Sequence, residues 1–282
     1  MRKFNPLRWL GAHLLLLVVG VYVLIPIWGM VRLAFDGSLL ARPTEFRLFP
    51  AKWSFDAFLR VLDKPYQSVS FDLLMQNSLA VSLGAAAIAA GLGISLAYAF
   101  ARFRFPGRQA GLFILLLTAL LPPIAFTTPL YIVLSILKLR TSLVGLCIVY
   151  AVFAMPFCIW NMRAAFQAIP KELEEAAFLD GAGNLRTLFR ITLPLALPSV
   201  AVAAPIAFLM GYSEFAIGWL FVDRANRVTL AMAIYAMVQT GSAQPWSMLG
   251  SLVLIMSAPV VLVFLLLQRV LLERLSYGEI KM

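Results

Sequence analysis

The sequence predicts an all-α integral membrane protein with six transmembrane helices and a cytoplasmic helical hairpin, and three observations predict it. Of the 282 residues, 62% are hydrophobic and 13% charged, against about half and about a quarter in soluble domains. Too little polar surface remains to clothe such a chain in water. Several apolar runs reach the roughly 20 residues needed to cross a hydrocarbon core. Prolines and glycines recur inside those runs, which a membrane helix tolerates where neighbouring helices or water satisfy the backbone groups that are freed.

The six spans fall at 10–32, 77–100, 110–136, 142–162, 197–222 and 248–270. Arg2, Lys3 and Arg8 precede the first, as in a signal peptide. The run from Leu10 to Val31 outlasts the usual core of about 7–15 residues, however, and no small-x-small cleavage site follows it. It therefore reads as a retained helix, with His13 at its mouth as an interfacial side chain. The second span carries Gly84, Gly91, Gly93 and Ser95 among alanines, so its backbone can approach a neighbouring helix. Pro122, Pro123 and Pro129 kink the third span, Pro156 the fourth, Pro205 the fifth and Pro259 the sixth. Cys147 and Cys158 recur on nearly one face of the fourth and read as packing residues, neither a disulfide nor a metal pair.

An even number of spans puts both termini on one side. Arg102, Arg104 and Arg108 crowd the turn between the second and third spans with no acid among them, which places that turn, both termini and the loop 163–196 in the cytoplasm. The net charge of +10 is spread in small groups beside the spans. That distribution suits lipid headgroups and excludes a nucleic-acid partner. Segment 33–76 sets Trp53, Phe55, Phe58 and Leu59 among Asp and Lys, which predicts a small external fold with an amphipathic helix. With the external loop 223–246, a single transmembrane domain over 1–282 accounts for the chain.

The loop 163–196 has helix signals of its own. Pro170 fits a first helical position, Lys171 to Leu179 are good helix formers, and Glu172, Glu174 and Glu175 crowd the positive end. Gly181 supplies a stop, a turn follows over Gly181 to Asn184, and a second stretch, Leu185 to Ile191, closes at Pro194. Leu173, Ala176, Ala177 and Phe178 form a short apolar surface. Such a hairpin can dock in a protein groove or rest on lipid headgroups, and composition allows both.

The spacing Glu-Ala-Ala, three residues, Gly, nine residues, Ile-x-Leu-Pro, matched at Glu175, Ala176, Ala177, Gly181, Ile191, Leu193 and Pro194, resembles the signature loop of permease subunits in bacterial and archaeal ATP-binding-cassette importers. Asn77-Ser78-Leu79, the run Ala97 to Arg102 and Phe105-Pro106-Gly107-Arg108 extend the resemblance to the carbohydrate-transporting branch and its smaller maltose-type permease. The ending, Ser276 to Met282, departs from the small-residue ending of that branch.

The resemblance implies the type I ABC importer permease fold in a bacterial or archaeal cytoplasmic membrane. It implies that the hairpin is a coupling helix seated in a nucleotide-binding subunit, with Glu175 in polar contact and Gly181 allowing close approach. The implied partners are a second homologous permease, two copies of an ABC ATPase and an extracytoplasmic solute-binding protein. The implied solute is a sugar, with polyamines and glycerol phosphate as alternatives.

The residues agree on where the energy comes from. No lysine follows a glycine, so the chain lacks a phosphate-binding loop, and ATP and Mg are expected on partner ATPase subunits with no cofactor here. One histidine and no carboxylate cluster in the spans leave no expected metal or catalytic set. An ionisable group within a span is costly unless it faces protein or water, which marks Glu214, with Tyr212 and Ser213, as the candidate solute pathway. Glu214 pairing with the partner permease and fixing that interface is the other reading, and the one favoured. Asn161 and Arg163 read as helix anchors. An ion-coupled secondary transporter also has broken helices, but its two halves carry matching polar interruptions that are not evident here.

Overall fold

The computed structural model describes residues 6–39, 42–45, 47–239 and 245–278. In chain order the helices are α1 (Pro6–Phe35), α2 (Asp56–Asp63), α3 (Phe71–Arg102), α4 (Arg108–Leu120), α5 (Thr127–Ile136), α6 (Leu143–Ala168), α7 (Glu172–Leu179), α8 (Asn184–Thr187), α9 (Leu193–Ser213), α10 (Ala216–Phe221), α11 (Leu230–Gln239) and α12 (Trp246–Gly278). Five helices are long and apolar enough to cross a membrane, and the bent pair α4 and α5 makes a sixth crossing if taken as one. The chain divides into two compact units, Met1–Phe71 with Ile234–Ala258 and Asp72–Ala233 with Pro259–Met282. Glu279 to Met282, the end of the tail noted above, lie outside the described residues.

In the first unit α1 runs unbroken through Pro26 and exposes its apolar residues from Leu10 to Ile27 along one length of helix. It stops at Asp36, whose carboxylate accepts the amide of Ser38, the hydroxyl of Ser38 and the amide of Ala51. That buried knot folds the segment that follows back on the helix end. Ring packing follows, with Phe35 4.9 Å from Phe58 and 5.2 Å from Phe55. The expected amphipathic helix is α2: Ala57 and Val61 are buried while Phe55, Leu59 and Leu62 are exposed. Gly250 lies against the backbone of Ala34, and the Ser251 hydroxyl donates to the Ala34 carbonyl at 3.2 Å.

In the second unit α3 and α6 pack through small residues. A side chain at Gly84 would meet Cys147, and one at Gly93 would meet Met162 and Cys158, whereas Gly91 faces open space. Both cysteines are free thiols on this packed face, which is the packing role read from their spacing.

Two spans and one loop differ from their expected form. The third is broken, not kinked: α4 and the segment from Pro123 meet at 106°. Leu121 and Pro122 each precede a proline, which disfavours helical backbone, and both are extended. The fifth span, expected to reach residue 222, ends at Ser213, and Glu214 is extended. The loop 223–246, expected outside the membrane, contains the apolar helix α11, in which Leu230, Met232 and Ala233 are buried. Asn77 and Ser78 explain how the chain returns inward there. The Asn77 amide donates to the carbonyls of Asn226 and Val228 at 3.0 and 2.9 Å, and the Ser78 hydroxyl accepts the Leu230 amide at 2.8 Å.

Candidate functional site

The hairpin forms as two helices around a left-handed glycine. Lys171 caps α7, so Pro170 stands just outside the helix where the sequence had put it inside, and Glu172, Glu174 and Glu175 occupy the first turn. At the other end Gly181 adopts φ +82°. The Ala182 amide reaches back to the Ala177 carbonyl at 2.9 Å and the Gly181 amide to Phe178 at 3.0 Å, the double bond pattern that satisfies carbonyls left over at a helix end.

Pro194 does not close the second stretch. The chain passes from α8 through a π-helical turn, Leu188–Thr192, directly into α9, with Pro194 near its start. The Leu193 amide bonds five residues back to Leu188. This wider turn makes room where the proline ring would clash with a carbonyl of a regular helix and removes the need for the donor that proline lacks. The hairpin is consequently a continuous extension of a membrane helix.

The root of the hairpin is a buried polar knot that the sequence reading missed. Glu174 is 5% exposed. Arg102, at the end of α3, donates from Nε to Glu174 Oε1 at 2.9 Å and from Nη2 to the Ile169 carbonyl at 2.9 Å. The Thr192 hydroxyl donates to the same Oε1 at 2.8 Å and the Tyr98 hydroxyl to Oε2 at 3.4 Å. One carboxylate thereby joins α3, α7 and the π turn that feeds α9. The sequence offered one signal: Glu174 lies three residues before Ala177, on the inward face of α7, so an acid there required a buried partner.

The seven motif positions divide by exposure. Glu175, Ala176, Gly181 and Pro194 face outward, Ala177 is buried, and Ile191 and Leu193 are half-buried. Leu179 at 90% and Leu185 at 73% exposure are the most open apolar side chains of the hairpin. The expected apolar surface of Leu173, Ala176, Ala177 and Phe178 is thus corrected: Ala177 turns inward, and Leu179 and Leu185 extend the open face.

The three pathway candidates are not brought together on one surface. Tyr212 is 1% exposed and stacked on Phe208 at 5.4 Å, so its ring is covered within the chain itself. Ser213 is exposed and donates to the Leu209 carbonyl. Glu214 lies beyond the end of α9, not inside a span. Its two oxygens accept the amides of Ile217 and Gly218 at 2.8 and 3.2 Å, which turns the chain into α10. Near this turn, Thr127, Thr128, Tyr131, Ile132, Leu220 and Phe221 line a cavity of about 340 Å³ that the sequence reading did not find. Asn161 and Arg163 tie helices together, Asn161 to Ser199 of α9 and Arg163 to the Phe100 carbonyl of α3. Among the described residues no group of His, Cys, Asp and Glu could hold a metal ion.

Apolar helices long enough to cross a membrane, with a polar hairpin tied to two of them, make this a membrane-embedded subunit. The chain belongs to the family described as binding-protein-dependent transport system inner membrane component, which residues 89–277 match. It is similar to a diacetylchitobiose uptake system permease protein of Streptomyces coelicolor, 30% identical over 96% of this chain and 88% of that one. It is also similar to a trehalose transport system permease protein of Mycobacterium tuberculosis, 28% identical over 94% of each. A crystal structure of a bacterial ABC transporter involved in import of the acidic polysaccharide alginate contains a chain with the same fold, with a TM-score of 0.75 at 20% identity over 95% of this chain and 99% of that one. The protein is an ABC importer permease, a non-catalytic multi-pass membrane subunit of type I fold. Family membership removes the ion-coupled carrier reading.

Proposed function

We propose that this permease forms half of the translocation path for a sugar or a related polar solute. It would pair with a second homologous permease, receive solute from an extracytoplasmic binding protein and be driven by two ATPase subunits that bind ATP and Mg. Both termini and the hairpin lie in the cytoplasm in this reading. The sugar assignment is supported by the named substrates of the two relatives, diacetylchitobiose and trehalose.

The observation that carries the coupling is the contrast within one hairpin. Leu179 and Leu185 stand open beside the left-handed bend at Gly181, while Glu174 is buried at the root. An open apolar tip fits a groove in another protein, and a buried, bonded root lets force on the tip reach α3 and α9. Glu175, Ala176 and Gly181 would meet the ATPase, while Ala177, Ile191, Leu193 and Pro194 hold the element in shape. At the far end Ser213 and Glu214 would stand close to the path, with Tyr212 supporting them from within.

A photo-crosslinking residue at Leu179, in membranes that also contain the ATPase subunit co-purifying with this permease, tests the coupling directly. The adduct expected is with that ATPase, and its yield changes with nucleotide. An adduct with lipid alone in an actively transporting complex would overturn it. A transport assay with labelled disaccharide tests the solute class, and uptake of polyamine or glycerol phosphate in its place would reassign it.

A further inference from the structure

A cavity of about 700 Å³ opens at the hairpin end of the second unit, lined by Arg104, Phe105, Gly107, Arg108, Gln109 and Arg163 among others. No acid lines it. Arg102, two residues earlier, has Glu174 as its partner, but among the described residues Arg104, Arg108 and Arg163 form no ion pair. Two of them are held in place, while Arg104 is exposed at the rim. Arg108 Nε and Arg163 Nε both donate to the carbonyl of Phe100, at 3.0 and 3.3 Å. One acceptor thus holds two guanidiniums through their Nε atoms, leaving their terminal nitrogens without a hydrogen bond among the described residues. Like charges clamped together at the edge of a membrane protein repel, and an anion between them relieves the repulsion. The guanidinium fork matches the oxygen geometry of phosphate.

The surroundings favour a phosphate that carries a hydrocarbon tail. From the cavity, α4 leads away as a helix with no buried residue, exposing Phe113, Ile114, Leu116, Leu117 and Leu120. The Arg163 guanidinium lies 5.6 Å from the ring centre of Trp160, and Phe105 lies at the rim. Aromatic rings with basic groups above an apolar wall are the arrangement found at the headgroup level of a bilayer. We propose that Arg104, Arg108 and Arg163 form a binding site for the phosphate of an anionic lipid headgroup, whose acyl chains lie along α4. This site is separate from the hairpin root and does not depend on the coupling reading.

The test is native mass spectrometry of the intact complex in mild detergent, with dioleoylphosphatidylglycerol, dioleoylphosphatidylcholine or inorganic phosphate added to the wild type. Phosphatidylglycerol retained at sub-stoichiometric lipid, with no retention of phosphatidylcholine, is the expected result. Each Arg→Gln substitution at Arg104, Arg108 or Arg163 should then weaken retention about fivefold, the equivalent of about 1 kcal/mol per basic group at a membrane surface, and Arg→Lys should restore most of it. Equal retention of the two lipids by the wild type overturns the proposal without needing any variant. Displacement of the lipid by millimolar phosphate assigns the site to a free anion and also overturns it. Loss of the ATPase from the Gln variants with lipid retention unchanged assigns the arginines to a protein contact, with the same consequence.

Discussion

Arg102 Nε lies 2.9 Å from Glu174 Oε1, and both side chains are only 6% exposed. Removing water from two charges offsets much of their attraction, so such a pair contributes little net stability while intact. Breaking it is another matter. Glu174→Ala strands Arg102 and is expected to cost about 3–5 kcal/mol, read as a lower thermal transition of the purified complex. Replacing both residues with Met should recover most of that stability, because no buried charge is left alone. The recovered double variant should still show weakened stimulation of ATP hydrolysis by substrate, since the joint between α3 and α7 is gone. Full stimulation in that variant would show that the pair does not transmit force.

Gly181 separates conformation from space. Its φ of +82° disfavours any side chain, yet nothing stands within 4 Å of a Cβ placed there. Gly181→Ala should cost about 1–2 kcal/mol of local stability and leave coupling measurable. Gly181→Trp fills the open space in front of the bend and, like Glu175→Lys, is expected to abolish substrate-stimulated ATP hydrolysis while assembly persists. Unimpaired stimulation in both variants would remove the bend from the docking face.

Both oxygens of Glu214 accept backbone amides, at 2.8 and 3.2 Å. Gln keeps one acceptor and loses the other, so Glu214→Gln should weaken the turn into α10 by about 1 kcal/mol. Assembled yield and transport should fall together, by a similar factor. A fall in transport with yield and thermal stability unchanged would instead place the carboxylate on the solute path.

Asp36 gives the first unit a dependence on pH. Burial alone would raise its pKa, but the hydroxyl of Ser38 and the amides of Ala51, Ser38 and Lys52 outweigh it and hold the carboxyl below its ordinary 3.8. A depressed folded pKa contributes stability that is present above the unfolded value and is lost as pH falls through the folded one. The segment after α1 should therefore be indifferent to pH from neutrality to about 5 and loosen below about 4, followed by limited proteolysis between Asp36 and Trp53. Asp36→Asn should be less protected throughout and lack this acid step.

Much of the architecture was legible because the physics of spans is local. Apolar runs fix where helices cross, and the breaks in them fix where backbone must find other partners. The amphipathic character of α2 and the packing role of Cys147 and Cys158 followed from periodicity alone. The failures were non-local. Nothing near Glu174 in the chain reveals that Arg102, 72 residues earlier, will neutralise it. Nothing near residue 230 reveals that Asn77 will hold the carbonyls of Asn226 and Val228 and draw an apolar helix inward. Nothing near Tyr212 reveals that its ring packs on Phe208, because an aromatic beside an acid suits a sugar site equally well as a core. Pro194 was misread because proline usually ends a helix, whereas here a π turn widens to admit it.

The 106° elbow between α4 and the segment from Pro123 bears on how the protein must be made. Thirteen residues of α4 extend about 20 Å, short of the roughly 30 Å of a hydrocarbon core. Pro122 and Pro123 offer no amide to the carbonyls of Thr118 and Ala119, so naked main chain sits partway down a membrane crossing. Synthesised alone, this polypeptide would present that defect to lipid, where unsatisfied backbone groups are costly. Its cellular abundance should accordingly be set by the supply of whatever seals the elbow, not by its own translation.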